Sequence, residues 1–323
     1  MTGIDRFRSL IFPFALAQAV LLGCSASANL SDVAIEQARP VLRSDQFQAG
    51  VGNSRVLVAV GANGVIVWSD DAGKRWQRHV VDVEASLVDV AVCPDGSFVA
   101  LDFKRRVWVA DGAASSWSSM ALATEATPLA VACDPAGQYW VVGSDSTILS
   151  SADRGASWQA TSLGEDLMFT TIQFIDALHG VVTGEFGSLM TTRDGGASWQ
   201  AGAPIPNDFY PYDALFTDPD TGWVSGLAGT ILHTRDGGAS WEKQSNPTGA
   251  PMYGLTRHND DVFAVGANGL VLKLAGSEWV PAGGRAAPYL RTAFSMNGDA
   301  LLVAGGAGMV EIVPMTASAV TQK

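Results

Sequence analysis

Charge is scarce in this chain. Asp, Glu, Lys and Arg make up 16% of its 323 residues, and 20 basic residues face 32 acidic ones. A polypeptide this poor in cations does not build a surface for nucleic acid or for anionic lipid headgroups, so no nucleic-acid partner is expected. Cysteine is nearly absent, with 3 in the whole sequence, which excludes a fold stapled by many disulfides. The 4 histidines, His79, His179, His233 and His258, are scattered without the paired spacing of a metal site, so no metal or cofactor is implied. Amphipathic helical periodicity is missing beyond the first residues. What remains is a composition 47% hydrophobic with 35 glycines, distributed as short β-branched runs between tight turns. Such a chain buries a large core and builds it from strands.

One long apolar run exists, and it lies at the start. Arg6 and Arg8 precede an apolar stretch from Leu10 to Leu22, too short for a stable membrane span and typical of an export signal. Two cleavage sites compete. "LLGC" ends at Cys24, which would be acylated, giving a signal over residues 1–23 and a lipid tether to a membrane. "ASA" at 26–28 would release a soluble chain beginning at Asn29. Either route places the mature protein outside the cytoplasm, in a periplasm or thylakoid lumen. Cys93 and Cys133 then remain, in "VAVCPDG" and "AVACDPAG". They occupy equivalent places in neighbouring repeats, where a separation beyond the ~7 Å Cα limit for a bridge is expected, and buried free thiols follow.

The repeats are the strongest signal. "TTRDGGASW" at 191–199 returns as "HTRDGGASW" at 233–241, with worn copies "SSADRGASW" at 150–158 and "WSDDAGKRW" at 68–76. Their tryptophans, Trp76, Trp158, Trp199 and Trp241, are spaced by 82, 41 and 42 residues, and Trp117 fills the long gap. A second register agrees. Glycine-centred turns at 61, 143, 184, 226, 266 and 305 separate apolar stretches, and Asp102 takes the missing place, giving 7 units. Each unit of about 40 residues accommodates four short strands, which is the arithmetic of a propeller blade. The expectation is therefore an all-β, seven-bladed propeller over residues 44–314, followed by a tail at 315–323. A strand within 33–42, in the linker 29–43, is expected to pair onto the seventh blade and close the ring.

The nonapeptide falls between third and fourth strands. There Asp71, Asp153, Asp194 and Asp236 can accept turn N–H groups, glycines supply positive φ, and the tryptophans fill spaces between blades. This is a structural role for all eight residues. The pattern S/T-x-D-x-G-x-S-W is the Asp-box, or bacterial neuraminidase repeat. The fuller unit "GWVSGLAGTILHTRDGGASW" resembles the repeat of the photosystem II assembly and stability factors of cyanobacteria and chloroplasts, whose homologues also occur in non-photosynthetic bacteria. The resemblance implies a non-enzymatic, exported, monomeric propeller that binds a membrane protein or its assembly intermediate. In that family binding uses an arginine-rich face, whereas this chain has no extended arginine patch.

Two other roles are compatible with the repeats: an accessory of a cell-envelope exporter, and a sialidase-like glycan hydrolase. The hydrolase needs three arginines around a carboxylate and a nucleophile pair. Arg154, Arg193 and Arg235 lie inside Asp-boxes, leaving Arg105, Arg106, Arg257, Arg285 and Arg291, with no nucleophile beside them, so no catalytic residue is assigned. For binding, the turns between second and third strands share a face with the connections between blades. Most are plain. Blades two to four depart from this with Lys104, Arg105 and Arg106, then Asp145, then Glu185 and Phe186, and the following connection adds Phe209 and Tyr210. Aromatic residues with arginine are common interface anchors, so these residues are expected on one contiguous partner-binding surface. Tyr212, in the same connection, and Tyr253 and Tyr289, farther round the ring, occupy similar entry positions.

Overall fold

Alternating short apolar runs and Gly-rich turns fold as antiparallel meanders. The computed structural model describes residues 31–207, 209–284, 288–296 and 298–315; the export signal and Cys24 lie outside them. Six four-stranded sheets and one three-stranded sheet follow in chain order, each hydrogen-bonded first strand to last. They are blades 1 to 7, spanning 47–80, 87–121, 128–162, 169–201, 211–243, 252–284 and 290–314. In blade 5 the strands are Pro211–Phe216, Gly222–Gly226, Ile231–Thr234 and Glu242–Lys243. Second strands are buried throughout, as "GWVSG" at 222–226 is, because they face neighbouring blades on both sides. The core is therefore interblade. Trp68, Phe98 and Trp108 pack together across blades 1 and 2, and Trp223, Leu272 and Trp279 across blades 5 and 6.

Every innermost strand carries a bulge in its first residues. The extra residue is Gln48, Val88, Leu129, Thr170, Tyr212, Tyr253 or Arg291 in blades 1 to 7. A bulge re-aims the side chain it carries. The seven bulges therefore occupy equivalent positions at one end of the innermost strands.

Two expectations fail here. Residues 33–42 contain no strand: Ser31–Gln37 form a short helix, in keeping with the helix-favouring Ala34, Glu36 and Gln37. Blade 7 has three strands among the described residues. Blades 7 and 1 pack strand on strand, burying Phe47, Ala59 and Ala304 in one cluster, and the connection before blade 1 adds hydrogen bonds and an ion pair. Gly308 N donates to Asp45 O (2.8 Å), the Tyr289 hydroxyl donates to Gln46 Oε1 (2.8 Å), and Arg78 pairs with the buried Asp45 carboxylate (2.7 Å). Secondly, Cys93 and Cys133 are bridged, with Cα atoms 5.1 Å apart. Cys133 ends the innermost strand of blade 3 and Cys93 directly follows that of blade 2. Innermost strands of adjacent blades converge toward the axis, so equivalent residues there approach closely enough to bond.

Candidate functional site

The two ends of the ring are chemically different. At one end lie the Asp-boxes. In blade 4, Asp194 Oδ1 accepts the Thr192 hydroxyl (2.8 Å) and Ser198 N–H (2.9 Å), while Oδ2 accepts the Ser198 hydroxyl (2.6 Å). Asp236 repeats this with Thr234 and Ser240, and Asp153 with Ser151 and Ser157. In blade 1 the Arg75 guanidinium takes the place of the serine hydroxyl on Asp71. The turns need the left-handed backbone of Gly73, Gly155, Gly196 and Gly238, with φ from 81° to 91°. Trp158 and Trp241 close their motifs by donating from Nε1 to the carbonyls of Gly155 and Gly238. Trp76 and Trp199 pack against interblade clusters. These hydrogen bonds hold the carboxylates in their charged form. The Arg75 side chain draws the Asp71 pKa down to about 2, and the Ser157 hydroxyl does the same for Asp153, to about 2.

The same end carries an open cavity of about 660 Å³ lined by Asn53, Arg55, Asp95 and Ser295. Behind it the buried His258 holds Ser295 Oγ through Nδ1 (2.9 Å), and Nε2 faces Asp299 at 3.5 Å without a hydrogen bond. Arg257, one of the arginines outside the Asp-boxes, also lies at this end and bonds to Asn259 O and Asp260.

The other end holds the turns between second and third strands. In six blades a turn N–H donates to the residue just before the innermost strands begin, as Glu185 N does to Met168 O (2.9 Å). Turn tips and interblade connections therefore share a face. Each tip places a non-glycine residue at positive φ, with Asn63, Arg105, Asp145, Phe186, Ala228, Asn268 and Ala307 all between 52° and 60°, and in every blade but the second the next residue is left-handed too.

The sequence-predicted contact residues divide into two groups on this face. In blade 2 every cation is already paired. Lys104 pairs with Glu84, and Arg105 with the Glu125 carboxylate (2.8 Å). Arg106 is clamped between Asp82 (2.9 Å) and the fully buried Asp102 (2.7 Å), above the Trp108 ring. In blades 4 and 5, Phe186 is 63% exposed, and Glu185 Oε2 accepts Met168 N–H (3.0 Å). Tyr210 is half-buried, edge-on to Tyr212 at 6.2 Å. Phe209 is not on the surface. It is buried with Ile205, Val224 and Leu232, filling the space that the absent side chain of Gly226 leaves. Glu185 acts electrostatically on Tyr210, so these two lie close, whereas no contact joins them to the blade 2 cations. Arg285 lies outside the described residues.

The tyrosines that the sequence places at blade entries continue from Tyr210, and their ring contacts are what sequence reasoning missed. Tyr212, Tyr253 and Tyr289 extend a chain of edge-to-face rings at 5.3 and 6.2 Å, crossing blades 5 to 7, and Arg291 donates to Tyr253 O. Two carboxylates inside apolar strands were also legible in "VDVAV" and "YDALF". Asp89 accepts Val90 and Val131 N–H groups, and Asp213 accepts those of Ala214 and Leu255, so each ties its blade to the next. Both residues keep some surface toward the axis, yet their carboxyl groups are removed from bulk water. Desolvation outweighs the two hydrogen bonds on each, and raises Asp89 to about 7 and Asp213 to about 6.

These shifts have a definite sign. Below pH 4 the two carboxyls are protonated in folded and unfolded chain alike. As pH rises toward 7 the unfolded chain releases protons that the fold retains, so stability falls over that window. The Asp-box carboxyls act oppositely, adding stability as pH rises from about 2 to 4. Thermal melting across pH 3–8 is expected to show a maximum near pH 4–5, and Asp213→Asn to flatten the decline above it. An unchanged decline in that variant would remove Asp213 as its source.

Among the described residues no three of His, Cys, Asp and Glu gather as a metal-ligand set. The model of the photosynthesis system II assembly factor YCF48 family matches residues 109–201 and 202–283, more than half of the chain. Among solved structures, YCF48 bound to a D1 peptide is 15% identical, covering 86% of this chain and 93% of that one, with TM-score 0.70. YCF48 from Cyanidioschyzon merolae is 14% identical, covering 84% and 95%, with TM-score 0.69. A streptogramin B lyase has the same fold at 11% identity, covering 85% and 94%, with TM-score 0.72. No curated protein matches the sequence.

Proposed function

Because the chain belongs to the photosystem II assembly factor YCF48 family, we propose that it is a non-enzymatic chaperone-like binder of a membrane protein or its assembly intermediate. We place the contact on the connection face over blades 4 to 6, centred on Phe186, Tyr210, Tyr212 and Tyr253. One observation carries this reading: Phe186 has a large exposed apolar ring at a position where the backbone is left-handed. A bulky residue is costly there and gains little from burial, and such outliers concentrate at functional sites. The related YCF48 solved with a D1 peptide supports a polypeptide segment as the ligand class. Lys104, Arg105 and Arg106 enter the proposal only as a flank, since local carboxylates already compensate their charges.

The test is capture from detergent-solubilised membranes of the source cell by the immobilised protein. Tyr212→Ala is expected to lose most of the captured membrane protein. Asp194→Ala should lower the melting temperature, through its lost turn hydrogen bonds, yet capture normally where folded. Capture that survives Tyr212→Ala and fails in folded Asp194→Ala would move the site to the Asp-box end.

A further inference from the structure

The charge around the aromatic patch is one-sided. Four carboxylates, Asp145, Glu165, Asp166 and Glu185, belong to the blade 3 and 4 turns and the connection between them. Asp145, Glu165 and Asp166 are exposed and Glu185 is half-buried. None of the four has a cationic partner among the described residues. Their hydrogen bonds come from neutral groups: Ser144 Oγ reaches Asp145 (2.8 Å), and Met168 N reaches Glu185 (3.0 Å). The blade 2 cations of the same face are already compensated. Each is ion-paired, and Arg291, at the innermost strand of blade 7, acts on the half-buried Asp89 and Asp213 and on Tyr210 and Tyr212, and forms no ion pair with any of the four carboxylates. Exposed apolar groups adjoin the carboxylates. Phe186 follows Glu185 directly, and Leu227, 56% exposed, occupies the matching turn of blade 5.

We propose that this face recognises an apolar protein segment flanked by Lys or Arg, the apolar part lying over Phe186, Leu227 and Tyr212 and the cations meeting the four carboxylates. The proposal rests on the binding reading above and adds the chemistry of the partner. Two physical arguments carry it. The aromatic rings supply desolvated area, which holds a ligand once docked. The carboxylates carry uncompensated charge within reach of a ligand seated on those rings, because the Debye length is about 8 Å at physiological salt. Like-charge contact would penalise an acidic segment, so the rim selects as well as attracts. This is the reverse of an arginine-rich face, which selects acidic ligands.

The experiment measures anisotropy of fluorescent synthetic peptides with one apolar centre, flanked by Lys, by Gln or by Glu, on the purified full chain. The Lys-flanked peptide is expected to bind about tenfold tighter than the Glu-flanked one at low salt, with the gap narrowing as salt rises. Glu165→Lys with Asp166→Lys should narrow or reverse that order while leaving the Gln-flanked peptide unaffected. Equal or tighter binding of the Glu-flanked peptide overturns the proposal and leaves the binding reading standing. Binding of none of the three peptides overturns both. Binding of neutral phosphatidylcholine vesicles in place of every peptide assigns the face to lipid, and also overturns both.

Discussion

Removing the Cys93–Cys133 bridge, by Cys93→Ala with Cys133→Ala or by reduction, is expected to cost about 2–4 kcal/mol of stability. The bridge closes a loop 40 residues long. Chain-entropy arguments put that closure near the top of this range, because the unfolded chain loses more freedom as the loop lengthens. The bond joins blades 2 and 3 where their innermost strands meet, so it also holds the ring at its narrowest radius. Urea melts of oxidised and reduced protein check the prediction through a lower midpoint. Affinity for a partner on the opposite face should not move, since the cysteines follow the far ends of the innermost strands. Equal midpoints for the two forms would show that the thiols are not bridged in the folded protein.

The cysteines also show where sequence reasoning stops. A repeat of about 40 residues specifies which positions are equivalent, and from it the blade count, the strand order and the location of the Asp-boxes follow directly. It does not specify distance, which in a ring depends on radius. Equivalent residues on outer strands are far apart, whereas those at the axis can bond, as Cys93 and Cys133 do. The same limit hid the tyrosine chain. The sequence places Tyr212 and Tyr253 at equivalent blade entries, but only the shared bulge brings them edge to edge at 5.3 Å. The turn residues were legible because a tip is exposed by its geometry, and Phe186 is there. Phe209 was not, because four residues earlier the connection dips inward at Ile205 and carries it into the core. Nor could the sequence reveal that Lys104, Arg105 and Arg106 face carboxylates from two neighbouring connections, which changes a basic patch into a neutral one. The helix at Ser31–Gln37 was lost for a local reason. The alternation of Val33 and Ile35 is too short to separate a strand from a helical turn.

Phe186→Asn is expected to separate function from stability. Seven equivalent turns place a residue near φ 55°, and two of them use asparagine, Asn63 and Asn268. Asparagine tolerates this backbone, while a bulky side chain there costs about 1–2 kcal/mol. Phe186 recovers little of that through packing, since 63% of it is exposed. The substitution should therefore leave the melting temperature unchanged or raise it slightly, with a gain up to about 1 kcal/mol. If the ring anchors a partner, losing it should weaken binding by about 2 kcal/mol, close to thirtyfold in Kd, chiefly through faster dissociation. Asn63→Ala is the matched control, at φ 58° in the turn of blade 1 and outside blades 4 to 6. It should lose a little stability and keep full affinity. Surface plasmon resonance of the captured partner, alongside thermal melts of the same preparations, reads both quantities. A Phe186→Asn protein that is more stable and binds as well as the parent would mean that the strained ring has no part in recognition.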